Sequence, residues 1–147
     1  MQHKLLYEAS GQRTFVVVLE TGEEVAASLQ KFATRQNVHA ESFTAIGALS
    51  DAVLLYFDWQ KKEYQEIPVR EQVEVASLIG DIADDPEGKP ALHIHIVAGT
   101  CDGSAKAGHL GEGHVRPTLE VLVTESPTHL RKVKDTETGL ALIRPAA

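Results

Sequence analysis

Residues 14–20, Thr-Phe-Val-Val-Val-Leu-Glu, form a β-branched apolar run too short for a helix and predict a buried strand. The period then changes. Thr21-Gly22-Glu23-Glu24 sets a Thr three residues before a Glu, the spacing of a capping box. After it Val25, Leu29, Phe32 and Ala33 recur at helical spacing, with Gln30, Lys31 and Arg35 on the other side and Asn37 as the stop. No other segment carries a convincing helical period.

The rest reads as strands and turns. Residues 42–49 lead through Ser50-Asp51 into 52–57 as a hairpin, and Gln60-Lys61-Lys62 turns the chain into a strand over 64–69. Over 72–82, Val73, Val75, Ser77 and Ile79 alternate with Glu74, Ala76, Leu78 and Gly80. Residues 84–90 form a loop, 91–100 a strand, 101–108 a Gly/Ser/Ala loop and 118–124 another strand. Two short strands near 130–134 and 140–144 flank a turn at 136–139. Many short strands around one helix predict an α+β domain with a curved, mostly antiparallel sheet, a partial barrel. No linker or repeat divides residues 1–147, so one domain is expected.

Charge narrows the partners. Fourteen Lys and Arg against twenty-one Asp and Glu give a net charge of −7, which argues against a phosphate-binding face for nucleic acid. The densest basic run, Arg131-Lys132-Val133-Lys134, reads as a solvated strand edge. One cysteine, Cys101, allows no intrachain disulfide, and its setting suggests a partly buried thiol. The first residues lack the apolar core of a secretory signal, and no window is long enough to span a membrane. A cytoplasmic protein is expected.

The histidines carry the chemistry. His93 and His95 stand at i and i+2 on a strand, so both imidazoles leave the same face while Ile94 and Ile96 turn to the core. His109 follows a loop of small residues that can fold back to add a third nitrogen. Three histidines leaving one position for water or substrate match a catalytic zinc site; other transition metals accept the same donors, and zinc is the choice by prevalence. His114 is the alternative third ligand, whereas His3, His39 and His129 look isolated. Glu112 and Glu120 are the candidate proton-transfer residues, each also readable as an ordinary surface acid. Glu74 suits a structural or interface role, and Arg13 and Arg116 are possible anion-holding groups.

The order Ser42-Phe-Thr-Ala-Ile-Gly-Ala, Glu74-Val-Ala-Ser-Leu-Ile-Gly80, Leu92-His-Ile-His95, Gly108-His-Leu-Gly-Glu-Gly113 and Thr118-Leu-Glu-Val121 resembles the plant-and-prokaryote conserved domain in its bacterial and archaeal form. The resemblance runs from about residue 13 to about residue 124. It implies an α+β domain that assembles as a homotrimer and is distantly related in fold to acetolactate decarboxylase, which similarly binds zinc through an H-x-H strand and a later His. Plant members with AT-hook segments bind DNA. This chain departs from them: it has no Arg-Gly-Arg-Pro hook, carries Glu71-Gln-Val-Glu74 where they have G-R-F-E, and keeps the three histidines they lack. A metal-binding protein that binds or acts on an unknown small molecule is the expectation. The rivals are a DNA-binding regulator and a trimer with a structural metal.

Overall fold

The structure is a computed structural model that describes residues 1–145. Strand β1 (Gln2–Ala9) and β2 (Gln12–Glu20) form a hairpin, followed by helix α1 (Val25–Gln36). Then come β3 (Ala40–Asp58), β4 (Glu63–Val69), β5 (Val73–Asp84), β6 (Pro90–Gly99) and β7 (Ala105–Glu125). These seven strands make one antiparallel sheet in the order β1-β2-β7-β6-β5-β3-β4, with β7 also paired to β3. The sheet curves strongly without closing into a barrel, and β8 (Lys132–Lys134) and β9 (Ala141–Ile143) form a separate ribbon. The expected α+β class and single main helix are both present.

The helix covers one face of that sheet. Its stripe of Val25, Leu29, Phe32 and Ala33 is buried in one core with Phe15, Val17 and Leu19 of β2, Val121 of β7 and Ile96 of β6. Phe32 meets Phe15 edge-on with ring centroids 5.3 Å apart. Burying each large side chain of this stripe contributes roughly 1.5–3 kcal/mol. The cap differs from the expected box. Glu24, not Thr21, is the N-cap, its carboxylate accepting from the amides of Ala26 and Ala27, while Thr21 Oγ1 donates to the Pro117 carbonyl. Asn37 does end the helix, in the left-handed conformation at φ 52°.

Three expected boundaries are overturned. Ser50-Asp51 is no turn: β3 runs straight through it, because its two flanks keep pairing with β7 on either side of an irregularity at Leu49/Asp51. The loop expected over 101–108 shrinks to a turn closed by hydrogen bonds between Thr100 and Ser104. Residues 105–109 instead pair with β6, so the strand expected at 118–124 is only the second half of a 21-residue β7. Ladder hydrogen bonds there outweigh the weak strand propensity of Gly, Ala and Lys. Strand β1 was not expected, since all eight of its residues are exposed and give no alternation to read.

A shift between Val75 and Ser77 in the β5–β6 register also breaks the expected alternation of β5. Val73 and Val75 face the core, but beyond the bulge Leu78 does, and Ile79 faces out. One extra residue exchanges the two faces of a strand. No helix among the described residues is long and apolar enough to cross a membrane.

Candidate metal centre

Strand β6 alternates cleanly, with Ile94 and Ile96 buried and His93 and His95 exposed on the outer face. The antiparallel register sets His109 of β7 directly opposite His95. The three imidazoles therefore converge through strand pairing, not through a folded-back loop. His95 Nε2 lies 3.2 Å from His93 Nε2, and one ring nitrogen from each of the three residues falls within 4.8 Å of the others. Two nitrogens bound to one tetrahedral zinc at ordinary Zn–N lengths stand roughly 3.3 Å apart, so the observed spacing fits a shared ion. His109 packs edge-on against Tyr64 of β4, with centroids 5.2 Å apart.

A carboxylate stands behind His93. Asp81 of β5 pairs in register with His93 and brings Oδ2 to 3.2 Å from His93 Nδ1. The tautomer that satisfies this contact carries its hydrogen on Nδ1 and donates it to Asp81, which leaves the Nε2 lone pair facing His95. Such carboxylate–histidine pairs orient metal ligands and raise their basicity. Lys132 of β8, buried at 5% exposure, sets its ammonium 2.9 Å from Asp81 Oδ1 and donates to the Ala91 carbonyl. The Lys132–Asp81 contact is ionic, since Oδ1 gains no well-aligned hydrogen bond from it. Burial pushes the Asp81 carboxyl up, but its contacts with His93 and Lys132 outweigh that and hold it below the usual range. The imidazoles of His95 and His109 are shifted down, by burial first and then by their histidine neighbours, which favours the neutral, ligating form.

His114 is not the third nitrogen of this cluster. Its Nδ1 is 2.8 Å from Asp51 Oδ1 and its Nε2 is 3.6 Å from Glu112 Oε1. The hydrogen bond to Asp51 raises its proton affinity. Among the described residues, no hydrogen bond or ion pair ties Glu112 or Glu120 to the three histidines. Glu112 pairs with Val53 while Leu110 pairs with Leu54, so Gly111 is bulged and Glu112 returns to the outer face that carries His109. Glu120 lies between Val18 and Ile46, three strands across the sheet from His95.

Other expectations change too. Arg13 is occupied structurally: it pairs with Glu125 and donates to the carbonyls of Gln36 and Asn37 at the helix end. Cys101 is exposed, not half-buried, since the turn that carries it projects from the sheet. Lys132 is no solvated edge residue. His39 and His129, expected to stand apart, meet at Asp84. Sequence reasoning missed Asp81 and Lys132. Asp81 is two residues beyond Ile79 and shares its face; a strand register opposite His-Ile-His would have exposed it.

A coiled antiparallel sheet with one covering helix and three histidines on its outer face defines a small α+β protein with a candidate metal centre. Residues 7–127 match the Plants and Prokaryotes Conserved (PCC) domain, and the chain belongs to that family. It is 33% identical to a metal-containing protein from Archaeoglobus fulgidus, over 89% of this chain and 92% of that one, with a TM-score of 0.82. A plant- and prokaryote-conserved protein from Pyrococcus horikoshii is 30% identical over 97% and 94% of the two chains, at a TM-score of 0.83. A candidate DNA-binding protein from Bacteroides thetaiotaomicron is 25% identical over 99% of both, at 0.88. A Staphylococcus aureus protein of unknown function, described as similar to alpha-acetolactate decarboxylase, shares only the fold: 14% identity over 85% and 56% of the chains, TM-score 0.57. No curated protein matches the chain in sequence.

Proposed function

We propose that His93, His95 and His109 hold a divalent metal ion, zinc by prevalence, at which the protein binds or acts on a small molecule. The observation that carries this reading is the 3.2 Å approach of the His93 and His95 Nε2 atoms, with His109 beside them and Asp81 behind His93. The likeness to a metal-containing protein supports it. Three protein nitrogens leave a four-coordinate ion one further ligand, and a bound zinc there supplies Lewis acidity. Asp81 orients the His93 ring, Lys132 fixes Asp81, and Tyr64 packs against His109. Glu112 is the proposed proton-transfer residue, since the Gly111 bulge returns it to the face of His109; Glu120, beside Ile46, would act only on a ligand spread across the sheet.

The outer face also exposes Ile46, Ile79, Val97 and Leu122, four large apolar side chains on neighbouring strands. Such a patch supports self-association, and a homotrimer is the proposed assembly. A cytoplasmic location is proposed from the single exposed thiol, which suits a reducing compartment.

Metal analysis of protein purified without a metal-affinity tag tests the central reading. Wild type is expected to carry bound metal and His93→Ala to carry one equivalent less. Metal-free wild type whose melting temperature is indifferent to added zinc would overturn it.

A DNA-binding regulator is the second reading, favoured by the likeness to the candidate DNA-binding protein. The net charge of −7 opposes it. Retardation of duplex DNA at micromolar protein and low salt would support it, and free migration would remove it. A metal serving structure alone is separated from the first reading by whether small carboxylates or carbonyl compounds perturb the spectrum of the cobalt-substituted protein.

A further inference from the structure

A second group of metal-ligating side chains lies away from the first centre. His39 comes from the link between α1 and β3, Asp84 ends β5, and His129 belongs to the segment between β7 and β8. His39 Nδ1 is 2.5 Å from Asp84 Oδ1, and His129 Nδ1 is 3.8 Å from Asp84 Oδ2. One donor atom from each falls within 4.8 Å of the other two. The two imidazoles lie face to face, centroids 4.7 Å apart at 16°. Asp84 is buried, at 4% exposure.

We propose that His39, Asp84 and His129 form a second divalent-metal site that pins the C-terminal segment onto the domain. Three observations carry it. The donor set, two imidazoles and one carboxylate, is one that binds transition metals of the zinc, nickel and iron(II) type. The outward nitrogen of His39, Nε2, is 3.2 Å from Asn37 Oδ1. Donation of that N–H to Asn37 turns Nδ1 towards the Asp84 carboxylate; their 2.5 Å separation is hydrogen-bond length, and a shared metal ion takes the place of that hydrogen once the two atoms draw apart to about 3.3 Å. That donation is also the way a backing carbonyl group fixes a ligating tautomer. Finally, one donor atom from each of the three falls within 4.8 Å of the other two, and the carboxylate among them is buried.

The position of the site gives it a role. Asp84 already receives the segment through its amide, which donates to the Leu130 carbonyl, and through its bridge to Arg131. One residue further on, Lys132 reaches Asp81 behind His93. An ion shared by His129 and Asp84 therefore fixes the chain that delivers Lys132, and it links the second site to the support of the first.

The test uses full-length protein and zinc alone. Calorimetric titration of wild type is expected to show two equivalents per chain, and the His93→Ala/His95→Ala variant one. Adding His129→Ala to that variant is expected to weaken the remaining equivalent at least about tenfold. His129 is exposed, so its removal leaves the fold intact; His39→Ala is the second variant, and circular dichroism checks both. Zinc is also expected to slow amide exchange at Lys132 and Val133 in the His93→Ala/His95→Ala background. Folded His93→Ala/His95→Ala protein that binds no zinc, or binds it equally well with His129 and His39 both replaced, overturns the proposal. If the one equivalent held by wild type survives in His93→Ala/His95→Ala and vanishes with His129→Ala, the first centre fails while the second stands.

Discussion

Lys132 on β8 holds Asp81 on β5, ammonium to carboxylate at 2.9 Å, and so connects the C-terminal ribbon to the His93 ring on the neighbouring strand. Removing the carboxylate frees the imidazole. Asp81→Ala is expected to lower zinc affinity about ten- to a hundredfold without abolishing it, read by competition against a chromophoric chelator. Lys132→Met instead leaves a half-buried carboxylate without its ion partner and is expected to cost about 1–3 kcal/mol in urea unfolding. Unchanged zinc affinity in Asp81→Ala would show that the contact does not support the metal.

The two candidate third ligands separate cleanly. His109→Ala is expected to remove the zinc bound at the first centre, and His114→Ala to leave it within about twofold, because His114 is engaged by Asp51. Titration in a His129→Ala background keeps the second site silent. The reverse pattern would reinstate His114.

Glu41 sets a pH dependence of stability. It is 3% exposed, and neither carboxylate oxygen has a hydrogen-bond partner. Burial, with help from Glu125 and against Arg13, pushes its carboxyl from the ordinary value near 4.5 up to about 8. The folded form therefore keeps a proton that the unfolded chain releases above about 4.5. This contribution is complete below that pH and is lost as pH rises towards about 8. Glu41→Gln, neutral and nearly isosteric, is expected to flatten that part of the profile and to be more stable than wild type at about pH 9. Parallel wild-type and variant curves from about pH 5 to about pH 9 in urea unfolding would count against a buried, protonated Glu41.

Gly80 sits where β5 crosses Phe43 and the backbone of His93. A Cβ there would run into the Phe43 ring and the His93 carbonyl oxygen. Gly80→Ala is expected to destabilise the fold by about 1–3 kcal/mol, seen as a lower melting temperature, and to weaken zinc binding by displacing β6. A variant as stable as wild type would mean that the two strands have slack.

The exposed outer-face side chains make self-association testable. Ile79→Glu with Leu122→Glu is expected to turn the proposed trimer into monomers on light scattering while circular dichroism stays unchanged. If wild type is already monomeric, the assembly proposal falls.

The local patterns were readable from the chain. The β-branched run of 14–20, the apolar stripe from Val25 to Ala33 and the stop at Asn37 each depend on neighbours a few residues apart, and all three formed. Features that depend on a partner strand were misread: the continuation of β3 through Ser50-Asp51, the strand from Ala105 to Gly108, and the face exchange after Val75. Their cause is a distant ladder or a bulge, which leaves little trace in composition.

The same division holds for the metal centre. The sequence by itself determined that His93 and His95 share a face, because a strand repeats every two residues. Only the tertiary structure decided that His109 completes the cluster, that Asp81 and Lys132 support it, and that His39 and His129 meet at Asp84. Each of those choices depends on register between strands or segments far apart in the chain, and a shift of one residue reverses which side chains meet.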